Sequence, residues 1–329
     1  MTIINNIEID NITYNHNDIK SAIQYNDPIE EKLHVIAVIS NPCLYATRYI
    51  LMKEFIERME RDEPNVILYI VELCYGDQKF IITKKDNSRH LQLRTKVPLW
   101  HKENMINLGV KHLLPSSWKA FAWIDADLEF ESPSWATDTL KVLNGCRDIV
   151  QVFSHCIDMD KQQNTMKIHT SAGHQYEYKK QYTKTSNDFW HPGYAWAMTR
   201  KAYEKIGGLF QLSILGSGDH NIMLSLIGKG KHSIHGGNSD EYKQSVLDFE
   251  KKIKGLRFGY VPGIIRHYFH GSKKNRKYSE RWQILVKYQH KPSYIDYDEN
   301  GIIIPSSLMP PHFIREIFQY FKERNEDDN

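Results

Sequence analysis

The 329 residues predict an α/β protein: a mixed, mostly parallel sheet flanked by helices, in a single large domain of two packed halves. Three observations carry this prediction. Apolar runs of strand length alternate with helical patterns from residue 33 to 143, as strand–helix crossovers of a parallel sheet require. Apolar residues make up 41% of the chain, enough for an extensive core. Finally, Trp-Ile-Asp-Ala-Asp-Leu-Glu-Phe (123–130) sets two carboxylates one residue apart directly after a buried-strand pattern, at the sheet edge where open α/β sheets take their ligands.

In chain order, residues 1–30 are polar and irregular and are expected to form an N-terminal extension. They contain neither a basic segment nor a long apolar run, so the expectation is no signal peptide, no membrane anchor and a cytoplasmic protein. Residues 31–131 form the first half. Val35 to Ile39 is a β-branched strand ended by Ser40-Asn41-Pro42, and the helix after it carries Met52, Phe55, Ile56 and Met59 on one face. Val66 to Leu73 is the second strand, with Glu72 near its end. Lys102 to Leu108 is a short helix stopped by Gly109. Ala120 to Ile124 is the central strand before Asp125 and Asp127, and Ser132-Pro133 supplies the cap and first turn of the next helix.

The second half, 132–290, is less regular. Ile149 to Phe153 is a strand, and Lys161 to Asn187 is a polar surface stretch. Residues 189–198 are aromatic, broken by Pro192 and Gly193. A short helix around Ala202 to Ile206 ends at Gly207-Gly208. Residues 215–223 open a helix with Ile222, Met223, Leu226 and Ile227 on one face and Asp219 at its N-terminus. Lys229 to Lys254 is a loop plus an exposed helix, Phe258 to Phe269 one strand, and residues 291–329 a C-terminal extension.

Composition narrows the partners. With 43 Lys and Arg against 40 Asp and Glu there is no global field to attract nucleic acid or a membrane. The four cysteines, Cys43, Cys74, Cys146 and Cys156, lack metal-site spacing and are expected to be reduced, buried thiols. Side chains two apart in an extended segment share a side, so Asp125 and Asp127 can face one divalent cation and the diphosphate it neutralises.

The order of these motifs resembles the GT-A glycosyltransferases over residues 33 to 290, an inverting, family-2-like member with a Rossmann-like sheet. The resemblance implies a nucleotide-sugar donor, most simply a UDP-sugar, and a carbohydrate or protein-linked acceptor. Asp125-Ala126-Asp127 matches the family's Asp-x-Asp segment, with Asp127 as direct metal ligand and Asp125 as ribose or metal contact. Gly216-Ser217-Gly218-Asp219 matches the turn whose last aspartate is the general base, although Gly218 stands where the family places an acid. Arg266-His267-Tyr268-Phe269-His270-Gly271 matches the late strand that delivers a histidine to the metal. Strand alternation sends His267 and His270 to opposite faces and leaves open which one binds. Lys273, Lys274, Arg276 and Lys277 follow as a lid for the diphosphate, or as a solvated loop.

Carboxylate and imidazole ligands suit Mn²⁺, with Mg²⁺ the second candidate. Asn41 and Pro42 after the first strand, Glu72 after the second, and Lys102 and Asn107 on the helix before the Asp strand are further nucleotide contacts, or turn and surface residues. Trp190, His191, Tyr194 and Trp196 are a sugar-stacking wall or core, with Trp196 assigned to core. Two other functions share such a sheet. A nucleotidyltransferase needs a Gly-rich basic loop after the first strand, which Ser40-Asn41-Pro42-Cys43-Leu44 is not; a noncatalytic carbohydrate- or partner-binding protein would have no use for the base and both metal carboxylates.

Overall fold

The computed structural model describes residues 2–4, 7–10, 16–17, 20, 31–144, 147–178, 190–272, 274–277 and 280–327. Two short strands, β1 (Thr2–Ile4) and β2 (Ile7–Ile9), pair antiparallel. The β-branched run forms β3 (Leu33–Ser40), the inside of a seven-stranded sheet. It is flanked in parallel by β4 (Val66–Tyr75) and β6 (Ala120–Ile124), and β5 (His90–Thr95) extends the sheet beside β4. Beyond β6 lie β12 (Ala195–Thr199), β8 (Ile149–Gln151) and β13 (Phe258–Tyr260); only β12 runs against its neighbours. This is the mixed, mostly parallel sheet expected.

Helices cover both faces. On one lie α1 (Ala46–Asp62), burying Met52, Phe55 and Met59, and α3 (Trp135–Leu143). On the other lie α2 (Lys102–Leu113), α5 (Arg200–Ile206), α6 (Gly218–Leu226) and α7 (Asp240–Ile253). A second sheet of five strands has the order β11 (Trp190–His191), β10 (Thr165–Ser171), β9 (His155–Met159), β14 (Ile264–His267), β7 (Leu128–Phe130). The short helix α4 (Ala172–Glu177) follows β10. At the C-terminus α8 (Glu280–Lys287), the hairpin β15 (Ile295–Tyr297) with β16 (Ile303–Pro305), and α9 (Pro311–Glu323) form their own apolar cluster. Phe313, Ile317 and Phe321 pack there against Leu99, Ile214 and Leu215 of the main body.

Several local expectations are corrected. α2 runs through Gly109 rather than stopping there, because a Cβ at 109 would lie 3.0 Å from Val71 Cγ2 and 3.1 Å from Ile36 Cγ2; the glycine lets the helix sit close on the sheet. The N-cap of α3 is Ser134, with no side-chain capping bond, rather than Ser132. α7 is amphipathic rather than simply exposed, burying Tyr242, Val246, Phe249 and Ile253. The stretch 258–269 is two strands in different sheets, and 165–177 of the expected surface stretch is β10 and α4. Cys74 and Cys156 are buried, Cys43 is half-buried, and Cys146 lies outside the described residues. Among the described residues no helix is long and apolar enough to cross a membrane.

Candidate active site

Strand register assembles the first cluster. β14 pairs with β7 so that His267 faces Leu128, and with β9 so that His267 faces Asp158. The Tyr268 N–H donates to the Asp127 carbonyl at 2.8 Å, fixing the aspartate turn against the end of β14. The strand ends at His267, so alternation no longer applies, and the turn returns His270 to the same point. His270 Nε2 lies 2.7 Å from Asp127 Oδ2, His267 Nε2 lies 3.6 Å from that oxygen, and the two Nε2 atoms are 3.3 Å apart. Both histidines therefore reach Asp127.

The group fits a divalent cation. Asp127 Oδ1 is buried with no hydrogen-bond partner among the described residues. His267 Nδ1 is 2.7 Å from Asp158 Oδ1, an aspartate only 1% exposed, so the imidazole is held with Nε2 turned toward His270. Two such nitrogens facing each other at 3.3 Å need a proton or a cation between them. Burial would raise Asp127, but His270 and then His267 hold it well below the usual carboxylate range. His267 is raised by Asp127 against the effect of burial, whereas burial and the Arg276 guanidinium, 2.8 Å away, push His270 down to about 4. Asp127, His267 and His270 could thus hold a metal through one carboxylate and two imidazoles, with Asp158 behind them.

Asp125 is not in that cluster: β6 ends at Ile124, and the turn aims its carboxylate at Lys102. Its Oδ1 is 2.6 Å from Lys102 Nζ, at the start of α2, which also lies 3.3 Å from Asp219 Oδ2 in the first turn of α6. Lys102 thus joins Asp125 to Asp219 across the site. Burial would lower its ammonium, but Asp125 and then Asp219 hold it above its ordinary range. Burial pushes Asp125 up to about 6, Lys102 opposing and Asp127 and Asp219 reinforcing. Burial and then Asp219 push Glu103 up to about 8. The Glu103 carboxylate fills the space where a side chain at 218 would stand, which explains Gly218. The N-cap of α6 is Ser217, not Asp219. Its φ is +77°, and its Oγ accepts from Arg281 Nη2 at 2.7 Å and Trp282 Nε1 at 2.8 Å. Gly193 keeps the face of Asp219 open, since a Cβ there would sit 3.1 Å from Asp219 Oδ2.

Other expected contacts are placed differently. Glu72 is spent on its own loop, accepting from the backbone N–H of Ile81 at 2.8 Å and Thr83 at 2.8 Å and from Thr83 Oγ1 at 2.7 Å, so it does not offer an acceptor to a base. Asn41 closes the turn before α1, its Oδ1 accepting from Tyr45 N at 2.9 Å and its Nδ2 donating to Tyr45 O at 2.8 Å, with Pro42 inside that turn. Asn107 accepts from Leu209 N at 2.8 Å and donates to Leu209 O at 3.0 Å, a packing role. Lys274 is exposed, Lys277 pairs with Glu323 at 2.8 Å, Arg276 is buried against His270, and Lys273 lies outside the described residues. Trp190, Tyr194 and Trp196 are buried, and His191 stacks on Tyr194 at 3.9 Å. Sequence reasoning missed Asp158, whose one signal is an acid inside an apolar strand, and missed Arg48 and Arg324, which line a cleft with Lys102, Asp125, Asp127 and His270.

No protein-family model matches the sequence, and no curated protein matches it. Among solved structures the chain is similar to a Drosophila β1,4-galactosyltransferase 7 variant in complex with manganese, UDP-Gal and xylobiose, at 12% identity and TM-score 0.31, covering 70% of this chain and 65% of that one. It is similar to a mannosyltransferase from Pyrobaculum calidifontis in complex with GDP-Man and Mn²⁺, at 12% identity and TM-score 0.39, covering 83% and 68%. It is also similar to a Bacillus anthracis protein described as a glucose-1-phosphate thymidylyltransferase, at 9% identity and TM-score 0.36, covering 82% and 98%. The chain spans less than two thirds of the galactosyltransferase structure. At these identities and scores, assignment of chemistry rests on the residues of this chain.

Proposed function

We propose that the protein is a metal-dependent glycosyltransferase of the GT-A type, moving a sugar from a nucleotide diphosphate donor, first a UDP-sugar, to a carbohydrate or protein-linked acceptor hydroxyl with inversion. The observation that carries this reading is the joining of two functional groups through Lys102: a carboxylate–imidazole triad fit for a cation on one side, and Asp219 with an open face on the other. In a single displacement the acceptor oxygen bonds to the anomeric carbon, the bond from that carbon to the β-phosphate oxygen breaks, and the acceptor proton passes to Asp219. Asp127, His267 and His270 would hold Mn²⁺, and the bound cation would offset charge building on the departing diphosphate. Lys102 fixes the directions of Asp125 and Asp219 at once, so donor and acceptor are held in one frame. Asp125 stands beside the donor cleft as a ribose or metal contact.

The experiment is thermal unfolding of the purified protein with UDP, GDP and CDP, each with Mn²⁺ and with chelator. A shift with one nucleotide that requires Mn²⁺ is the expected result. No shift with any of them contradicts a donor site and favours a noncatalytic binding protein.

A further inference from the structure

His270 reaches Asp127 Oδ2 and His267 Nε2 through one atom, its own Nε2, at 2.7 and 3.3 Å. That atom has another claimant. Arg276 Nη2 lies 2.8 Å from it. A guanidinium only donates, so in this contact the hydrogen belongs to Arg276 and the electron pair to His270 Nε2. A neutral imidazole has one such pair, and a metal ligand binds through the same pair. Arg276 and a cation therefore cannot hold His270 Nε2 at once. A tight turn brings the two residues together: Asn275 N donates to the Ser272 carbonyl at 3.1 Å and Lys274 N to Ser272 Oγ at 3.2 Å, which folds the chain back over His270. Arg276 is 8% exposed, so its side chain is committed to the interior of the site and not to solvent.

Resting on the metal-site reading above, we propose that Arg276 is a built-in, exchangeable counter-cation of the metal group: it holds the His270 electron pair, yields it to Mn²⁺, and so sets the metal affinity of the site. The other ligands are held without it. His267 Nδ1 is fixed by Asp158 at 2.7 Å, and the Asp127 carbonyl accepts from the Tyr268 N–H at 2.8 Å. The turn that carries His270 is braced by the C-terminal segment, since a Cβ at Gly271 would lie 2.9 Å from Glu326 Cα. Departure of the guanidinium therefore leaves the ligand residues in place. The backbone of Arg276 is also pinned, its carbonyl accepting from the hydroxyl of Tyr320 at 3.1 Å, so the exchange asks only the long side chain to turn. Arg276 is a positioning residue, since it acts on the metal through His270.

The test titrates full-length wild type and Arg276→Met with Mn²⁺ alone by calorimetry. In parallel, phenylglyoxal modification of wild-type Arg276 is followed by peptide mass spectrometry with Mn²⁺ and with chelator, the exposed Arg315 serving as internal reference. The expected result is Mn²⁺ affinity about 10- to 100-fold tighter in Arg276→Met, because a hydrogen bond to a charged group no longer has to be broken. In wild type, Mn²⁺ should raise the modification of Arg276 relative to Arg315, and chelator should reverse it. Equal or weaker Mn²⁺ binding by the variant overturns the proposal, weaker binding showing that Arg276 merely supports His270. Tighter binding without Mn²⁺-dependent modification overturns the exchange too, leaving Arg276 a fixed repelling charge. Should Arg276→Met not fold, the modification of wild type decides alone. If neither protein binds Mn²⁺, the metal-site reading itself fails and the proposal with it.

Discussion

Replacing Asp219 by Asn removes the proposed proton acceptor while keeping its shape. General-base catalysis contributes about 10²–10⁴-fold, so the barrier to transfer should rise by roughly 3–5.5 kcal/mol. The structural cost is small by comparison. Lys102 loses a partner at 3.3 Å but keeps Asp125 at 2.6 Å, and the lost pair is partly open, its side chains 15% and 22% exposed. That places the stability change at about 1 kcal/mol or less, a melting shift of roughly 2–4 °C at most. The proposed donor cleft is lined by Lys102 and Asp125 and not by Asp219, so Mn²⁺-dependent nucleotide affinity should stay at the wild-type value. The assay is transfer under saturating donor, with nucleotide affinity by calorimetry as the control. Transfer at the wild-type rate would refute Asp219 as the base. Equal loss of transfer and nucleotide affinity would show that Asp219 serves donor binding instead.

Asp158→Asn should weaken Mn²⁺ affinity by about 10- to 100-fold, because His267 loses the carboxylate that fixes its ring; unchanged affinity in a direct Mn²⁺ titration contradicts the positioning role. Stability should depend on pH through His101 and His290, both pushed down to about 4 by burial. Between pH 6.5 and 4 the unfolded chain binds protons that these folded imidazoles exclude. Stability is therefore full above the unfolded value and falls on acidification through that window, by up to about 1.4 kcal/mol per pH unit for each histidine. Urea unfolding from pH 7 to 4.5 reads the slope, and His290→Gln, which can still donate toward the Leu212 carbonyl, should flatten it. A flat profile for wild type is the contrary outcome.

Sequence pattern located the centre of the fold well and its periphery poorly, for physical reasons. β6 is Ala120–Ile124 as expected, because five consecutive buried apolar residues leave no other place for that segment. β5, His-Leu-Gln-Leu-Arg-Thr, carries polar residues at every second position as an edge strand does, so it has no apolar run to mark it. Gly109 looked like a helix stop because its packing requirement involves Val71 and Ile36, distant in sequence. Phe258 to Phe269 has one unbroken apolar character but supplies strands to two sheets, a division that only the partners of β13 and β14 reveal. At the site, Asp127 and the two histidines were legible as a motif order. The placement of Asp158 beside His267 depends on strand register, and that of Arg324 in the cleft on where a distant helix docks, and neither leaves a local mark. Glu72 misled because a strand-end acid near a cleft and a loop-capping acid share one local pattern; its bonds to Ile81 and Thr83 distinguish them.

The central claim is that Asp127, His267 and His270 hold the metal through which the donor binds. Its most direct measurement is calorimetric titration of wild type and Asp127→Ala with Mn²⁺, then with UDP and GDP in the presence of Mn²⁺. Mn²⁺ binding and metal-dependent nucleotide binding in wild type, both lost in a folded Asp127→Ala protein, is the predicted result. Nucleotide affinity in the variant equal to that of wild type would contradict it.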